Sequence, residues 1–391
     1  MSGEVIHAVH PDADLSADEL SFAHRIRKFA QKQLAPHARR VDEECTFRKE
    51  SVQELAKAGI LGGPISEEFG GGGWSAMELV IAHEEIGAVC GNTRGFLAVH
   101  TGLVAQCVET FGSDEQKARW LPRLTSGRAV GCFGLTEEDA GSDVASLACR
   151  AKGSPDGYQL NGKKIWITNG GVADLGIVFA TVDPDQGRDG ITAFMVDMTS
   201  EGLSRPPMPG KDLGHRGSSH AQLILENVRV DPDAVLGGIG KGFKVAMGGL
   251  QKGRLSVAAG ALGIHRAALA ACIAFTKQRE QFGKPIASYQ MVQERIADMT
   301  VELMAARGLV YRCARRRVAG TETHADLAAA KLYATEAASR AAEQAVMLHG
   351  GRGYSTEHSV ERLLRDSIGL RIYEGTSMIQ KLIVSRAVLE R

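Results

Sequence analysis

Residues 371–380, Arg-Ile-Tyr-Glu-Gly-Thr-Ser-Met-Ile-Gln, set one carboxylate beside one glycine. Glu374 follows an apolar isoleucine–tyrosine pair and falls between a helical segment and a last helix. A carboxylate partly removed from water has a raised pKa, which makes it a usable general base near neutral pH. Gly375 leaves the backbone bare, so a substrate carbonyl can approach and accept its N–H. The same residues also read as an ordinary helix–helix turn, with Ser377 as N-cap and Gln380 completing a capping box.

Other segments carry polar groups in patterns that suit a ligand. The stretch 133–143 (Phe-Gly-Leu-Thr-Glu-Glu-Asp-Ala-Gly-Ser-Asp) ends a strand in small polar residues. Amides and hydroxyls there suit the carbonyls and ring nitrogens of a heterocycle; the plain alternative is a loop with Ser142 capping a short turn. Trp166 and Thr168 stand two apart along a strand and so face the same way, a stacking wall and a hydrogen bond together. A core tryptophan is the alternative. Arg279 closes a long helix, where a cation complements the dipole. Gly350 and Gly351 permit the close backbone approach that suits a pyrophosphate. Arg94 is a cation at a helix start, which the dipole disfavours, and a residue placed against local preference points to function. An ion pair with a nearby glutamate is its simpler explanation.

These positions need a scaffold, and the chain supplies three kinds of sequence in turn. Residues 16–126 read as helices: one from Ser16 with Leu20, Ile26, Phe29 and Leu34 on its apolar side, stopped at Pro36, then 51–58, 94–111 and 113–121. The glycine run 70–73 lacks the Gly-Lys-Ser/Thr ending of a phosphate loop and reads as a plain loop before a helix from Ser75. From 127 to 236 the segments are short and β-rich (130–136, 148–152, 158–160, 164–168, 176–180, 192–196, 221–225), with Asp156-Gly157 and Asn161-Gly162 as hairpin turns. That predicts an antiparallel β domain and no Rossmann unit. From Gly242 the sequence is helical and alanine-rich, with breaks near 283–287, 319–323 and 350–355, predicting a bundle.

Composition excludes several classes. Lys plus Arg (46) balances Asp plus Glu (46) in 391 residues, so there is no basic field for nucleic acid or an anionic membrane. Seven scattered cysteines without a Cys-x-x-Cys pair read as reduced core thiols of a cytoplasmic protein, not a disulfide or metal framework. The polar, acidic first fifteen residues show no signal or transit peptide. Residues 255–275 are apolar but contain His265 and Arg266, which fits a buried bundle helix better than membrane insertion.

In order, and over nearly the whole length, these motifs resemble the acyl-CoA dehydrogenase family. The resemblance implies an α+β fold: an N-terminal all-α domain (1–126), a middle antiparallel β-barrel-like domain (127–236) and a C-terminal four-helix bundle (237–391). It makes Glu374 the base that takes the α-proton of an acyl thioester and FAD the hydride acceptor. Phe133, Leu135, Thr136, Gly141 and Ser142 match the first flavin segment. Trp166, Ile167 and Thr168 match the second, with Thr168 the partner of flavin N5. Arg279, Gln281, Phe282 and Gln290 would reach the adenine diphosphate half of a flavin in a neighbouring subunit, with Gly350 and Gly351 at its pyrophosphate and Thr376 and Ser377 also on the cofactor. Arg94, Ser142, Arg254, Tyr373 and Gly375 would contact substrate.

Met347 stands where the family usually has glutamine. Gly253 stands where some members carry their catalytic glutamate, which supports Glu374 as the base. The resemblance also implies a homotetramer (a dimer of dimers) that passes electrons to an electron-transferring flavoprotein. For the substrate it leaves alternatives. Arg94 matches the arginine of glutaryl-CoA dehydrogenases that binds a distal carboxylate, while acyl-carrier-protein dehydrogenases resemble the same region. A same-fold flavin oxidase, monooxygenase or desulfinase, and a non-catalytic helical scaffold, are the rival readings.

Overall fold

The computed structural model describes residues 14–389. The predicted absence of a signal segment rests mainly on residues 1–13, which lie outside the described residues. Helix α1 (Ala17–Phe29) opens on a reciprocal cap between Ser16 and Glu19. The predicted stop at Pro36 does not occur. A π-helical turn, Ala30–Leu34, runs directly into α2 (Ala35–Glu44), whose first turn contains Pro36. A proline there removes an N–H that a first turn does not need.

Helices α3 (Glu50–Lys57), α4 (Ala76–Gly87) and α5 (Gly91–Leu97) follow. The helix predicted from Arg94 thus begins at Gly91, and it widens into a π segment, Ala98–Ala105, before α6 (Gln106–Phe111). Helix α7 (Asp114–Thr125) is capped by Ser113 and Gln116 as the sequence predicts.

The middle region holds β1 (Gly131–Gly134), β2 (Arg150–Ser154), β3 (Gly157–Ile167), β4 (Leu175–Thr181), β5 (Ile191–Asp197), β6 (Leu203–Ser204), β7 (Ala221–Val230) and β8 (Val235–Leu236). They form one sheet in the order β6-β7-β3-β2-β4-β5-β8, with β1 against β4. The sheet is mixed, not wholly antiparallel: β1 runs parallel to β4, and β2 meets β4 in parallel at Arg150 and Thr181. Alternation along a segment reports which face is buried but not the direction of its neighbour.

Asp156-Gly157 does turn β2 into β3, but Asn161-Gly162 lies inside β3, where pairing with β7 shifts register. Gly162 has φ +149° and packs on Cys149, leaving no room for a Cβ. The dipeptide marks a bulge, so the two segments predicted at 158–160 and 164–168 belong to one strand.

The third region is α8 (Gly242–Gln278), the hairpin β9 (Glu280–Gln281) and β10 (Lys284–Pro285), α9 (Gln290–Val318), α10 (His324–His349), α11 (Val360–Ile372) and α12 (Ser377–Leu389). Helix α8 is long and apolar enough to cross a membrane by length and composition, yet 72% of that apolar window is buried. It packs against α4, α9 and α10 as the central helix of the fold. Leu255, Val257, Leu262 and Leu269 on it are wholly enclosed, each contributing about 1.5–3 kcal/mol relative to exposure. All seven cysteines are free, and only Cys45 is not buried.

Candidate active site

The turn between α11 and α12 presents Glu374. Helix α11 closes with the Tyr373 N–H on the Gly369 carbonyl (3.1 Å), and the next two residues are left-handed, Glu374 at φ +55° and Gly375 at φ +91°. Thr376, not the predicted Ser377, caps α12: its Oγ1 accepts from the Ile379 N–H at 3.3 Å, while Ser377 donates to Glu336 (2.6 Å). Gln380, predicted to complete a capping box, turns its amide back to the Gly375 carbonyl (2.9 Å).

Of the apolar pair before Glu374, Ile372 does not enclose it, being 61% exposed, while Tyr373 lines the same pocket. Enclosure comes from α8. A Cβ on Gly253 would collide with the Glu374 carboxylate, so the glycine's missing side chain is the space the carboxylate fills. Part of the Glu374 residue remains accessible, but Oε2 is sealed and has no hydrogen-bond partner among the described residues. Burial pushes its pKa up to about 7, against the pull of Arg94, Lys331 and Arg254. A carboxylate with no N–H donors and little water has no other way to lower the cost of its charge than to hold a proton.

Glu374 opens on a pocket of about 720 Å³, part of it continuous with solvent. Thr136, Trp166, Ile167 and Thr168 form one wall, with Phe133 and Leu135 beside them. Trp166 has φ +57° and sits where the β3–β7 register shifts, between Lys164 and Ile167. The predicted reason for Trp166 and Thr168 facing the same way, regular alternation, therefore fails; a bulge turns both toward the pocket. The indole is 54% exposed.

A buried ion pair ties the two segments of this wall together. Lys164 Nζ lies 2.6 Å from Glu137 Oε1, and Glu137 also accepts the backbone N–H groups of Ala148 and Cys149 (2.5 and 3.0 Å). The Ile165 N–H reaches the Thr136 carbonyl at 2.9 Å.

Arg94 is 2% exposed and belongs to the same pocket. The predicted glutamate partner is not there. Glu84 and Glu85 are taken by Arg307, Tyr311, Arg266 and Arg27. Arg94 Nη2 instead donates to the Tyr373 hydroxyl, and Nη1 has no partner among the described residues. The stem of Arg94 lies along α8, where a Cβ on Gly260 would come within 2.6 Å of its Cδ. His215 Nε2 stands 3.3 Å from the Tyr373 hydroxyl, and burial lowers the pKa of His215, with Asp366 opposing.

Several predicted residues lie elsewhere. Arg254 is buried in the fourth turn of α8, with Nε unpartnered among the described residues; its charge acts on Glu374, but it does not line the pocket. Gly141 and Ser142 are exposed outside the pocket. Arg279, Gln281, Phe282 and Gln290 cluster at the exposed β9–β10 hairpin, with Phe282 94% exposed, and Gly350 and Gly351 are exposed after α10. Thr376 and Ser377 are half-buried in the α12 cap.

Sequence reasoning missed His215, Ser218, His220 and Leu250, all lining the pocket. His220 is held by Asp212, Nδ1 to Oδ2 2.6 Å. No periodic or motif signal marks the loop that carries His215, Ser218 and His220; Leu250 lies on α8.

The chain matches the acyl-CoA dehydrogenase N-terminal, middle and C-terminal domains over residues 16–128, 132–228 and 240–389. It is 39% identical to the short-chain specific acyl-CoA dehydrogenase of Clostridium acetobutylicum, covering 96% of this chain and 98% of that one. Two solved structures superpose closely. One is a chain from the structure of the electron transferring flavoprotein of Acidaminococcus fermentans (TM-score 0.94, 37% identity, 96% and 99% of the two chains). The other is the glutaryl-CoA dehydrogenase of Mycobacterium smegmatis (TM-score 0.93, 33% identity, 98% and 97%).

Proposed function

The chain belongs to the acyl-CoA dehydrogenase family, FAD-dependent oxidoreductases, and from that premise we propose that it introduces an α,β double bond into an acyl thioester with Glu374 as the base. One observation carries this reading: a carboxylate whose Oε2 is sealed and unpartnered among the described residues shares a pocket with Trp166, Thr136 and Thr168. With a pKa raised to about 7, Glu374 is poised to accept a proton at neutral pH and to release it afterwards.

The wall fits the cofactor. A half-exposed indole offers a face for a flat ring, two hydroxyls at strand ends suit its polar rim, and Phe133 and Leu135 give an apolar backing. When bound, the flavin accepts the substrate's β-hydrogen as hydride. The chain's own residues do the rest. Glu374 removes the α-proton, the Gly375 N–H, on a backbone left bare by the missing side chain, donates to the thioester carbonyl, and the apolar side chains Ala98, Val99, Leu103 and Leu250 narrow the space for the acyl chain.

The substrate reading is a short acyl group ending in a carboxylate. Arg94 is a buried cation without a carboxylate partner among the described residues and with Nη1 open. Such a charge costs several kcal/mol to bury, which a substrate carboxylate would offset. Similarity to both a short-chain and a glutaryl-CoA enzyme supports the size and the charge. Electron transfer to an electron-transferring flavoprotein is proposed on the family's chemistry and the first of the two superposed structures. A homotetramer is proposed on the family resemblance; Phe282, Tyr354, Met291 and Met378, each 70% or more exposed, are apolar side chains that contact with another copy would remove from water.

Anaerobic mixing of the purified protein with butyryl-, isobutyryl-, octanoyl- and glutaryl-CoA, and with carrier-protein thioesters, tests the reading through flavin bleaching. Preferential bleaching by glutaryl-CoA is expected. Equal bleaching by butyryl-CoA removes Arg94 as an anchor, bleaching only on the carrier protein moves the substrate to that class, and no bleaching with flavin bound overturns the reaction.

A further inference from the structure

Lys331 on α10 is wholly buried and unused in the chemistry so far. Its Nζ donates to the Gly375 carbonyl at 2.8 Å. The same oxygen accepts from Gln380 Nε2 (2.9 Å), and that amide also reaches the Glu374 carbonyl (3.4 Å). Both donors close on the two left-handed residues of the base's turn. A non-glycine residue in that region is unfavourable by about 1–2 kcal/mol, so the turn needs outside support.

Carbonyl satisfaction alone does not require a lysine, since Gln380 already donates to the same oxygen. The charge is the conspicuous part. Among the described residues no carboxylate pairs with Lys331 within salt-bridge distance, and the nearby Glu336 is bonded to Arg371 (2.9 Å) and Ser377 (2.6 Å). The charged and titratable groups that act on Glu374 are Arg94 from α5, Arg254 from α8 and Lys331 from α10, with Tyr373 adjacent. Those acting on Lys331 are Glu374, Arg254, Glu336 and Arg371.

We propose that Lys331 is a positioning residue for the base. Through the Gly375 carbonyl it fixes the left-handed turn that aims Glu374, and its charge holds the Glu374 carboxylate ready as a proton acceptor at neutral pH. The proposal rests on Glu374 being the base. Burial lowers the Lys331 pKa to about 8, with Glu374 opposing, so the ammonium is still protonated where the base works.

The test isolates proton removal from the rest of the reaction. A thioester with sulfur in place of the β-carbon has no β-hydrogen to lose, so its α-protons can only exchange with solvent. The holoenzyme is incubated with it in D2O from pH 6 to 9, and deuterium uptake is read by mass spectrometry. Lys331→Gln keeps a donor without the charge, Lys331→Met removes both, and Lys331→Arg restores the charge; flavin absorbance and thermal melting report whether each is folded.

For Lys331→Gln the acid limb of exchange should move about one pH unit upward, with exchange at pH 7 about five- to tenfold slower and the high-pH plateau retained. Lys331→Met should add a loss on the plateau, and Lys331→Arg should return the limb toward wild type. A wild-type limb in folded Lys331→Gln, or a loss uniform in pH that Lys331→Arg does not rescue, overturns the proposal. Glu374→Gln separates the two readings. If it still exchanges at the wild-type rate, the base assignment fails and the proposal with it; if it does not, a failure at Lys331 is Lys331's own.

Discussion

Glu85 and Glu374 are both enclosed carboxylates among arginines, and they behave in opposite ways. Glu85 accepts two hydrogen bonds from Arg266 (2.7 and 2.8 Å) and two from Arg27 (3.0 and 3.1 Å). Burial alone would raise its pKa, but those guanidinium groups bring it down to about 2. Its neighbour Glu84 accepts from Arg307 (2.7 Å) and Tyr311 (3.0 Å). Glu374 also stands in the field of Arg94, Arg254 and Lys331, yet nothing among the described residues donates to Oε2, and its pKa rises to about 7. Nearby positive charge is common to both sites. What separates an anion pinned into the fold from a carboxylate free to take a proton is whether the N–H groups point at it.

Exchanging either carboxylate probes that contrast, and the largest effect is catalytic. Glu374→Gln should slow thioester-dependent flavin reduction by about 10²–10⁴-fold, with bound flavin retained. Stopped-flow bleaching at the wild-type rate would remove Glu374 from the chemistry. Glu85→Ala should instead destabilise the fold by about 3–5 kcal/mol, because it strands buried guanidinium charge between α1, α4 and α8. Denaturant titration measures this, and a loss under about 1 kcal/mol would mean the network is not structural.

Arg94→Ala sharpens the contrast from the cation's side. Here the expected change is in KM: a rise of about 30-fold for a dicarboxylic thioester, equivalent to roughly 2 kcal/mol, and little for a neutral one. Equal changes for both would make Arg94 a prop for Tyr373.

The smallest effect is in the pH dependence of stability, and its sign differs between the two carboxylates. Glu374 has a folded pKa above its unfolded value of 4.5, so its contribution is complete below pH 4.5 and is lost as pH rises through about 7. Glu374→Gln should match wild type at pH 4.5 and be more stable by roughly 1–3 kcal/mol at pH 8. Glu85 has its folded pKa lowered to about 2, so its contribution is present above pH 4.5 and lost as pH falls toward 2. Melting curves across both windows test the pair together.

Glu374 and the pocket wall of Thr136, Trp166 and Thr168 were legible as neighbours because each lies in a short contiguous motif. The order helix, strand, helix was legible because hydrophobic period changes at each junction. Failures came where local rules meet tertiary context. Pro36 reads as a stop but sits after a π turn, and Asn161-Gly162 reads as a hairpin but is a bulge inside β3. Arg94 was singled out as misplaced, yet its partner, Tyr373, is 279 residues away and no local pattern could name it. His215, His220 and Lys331 were invisible for the same reason: their meaning depends on what α8, α10 and the loop before β7 bring beside them.

Gly253 and Gly260 lie seven residues apart on α8, two turns along one face. One makes room for the carboxylate and the other for the guanidinium. Each mid-helix glycine leaves about 0.8–1 kcal/mol of helix propensity unused relative to alanine. In most proteins such positions are where heat-hardening starts, by drift or by design. Here the two directions oppose. At Gly253 an alanine strengthens the longest helix and can be accommodated by the end of the Glu374 side chain swinging away, so that the fold survives and the base loses its seat. Selection for thermal robustness alone would therefore lead this chain toward a stable protein that no longer works.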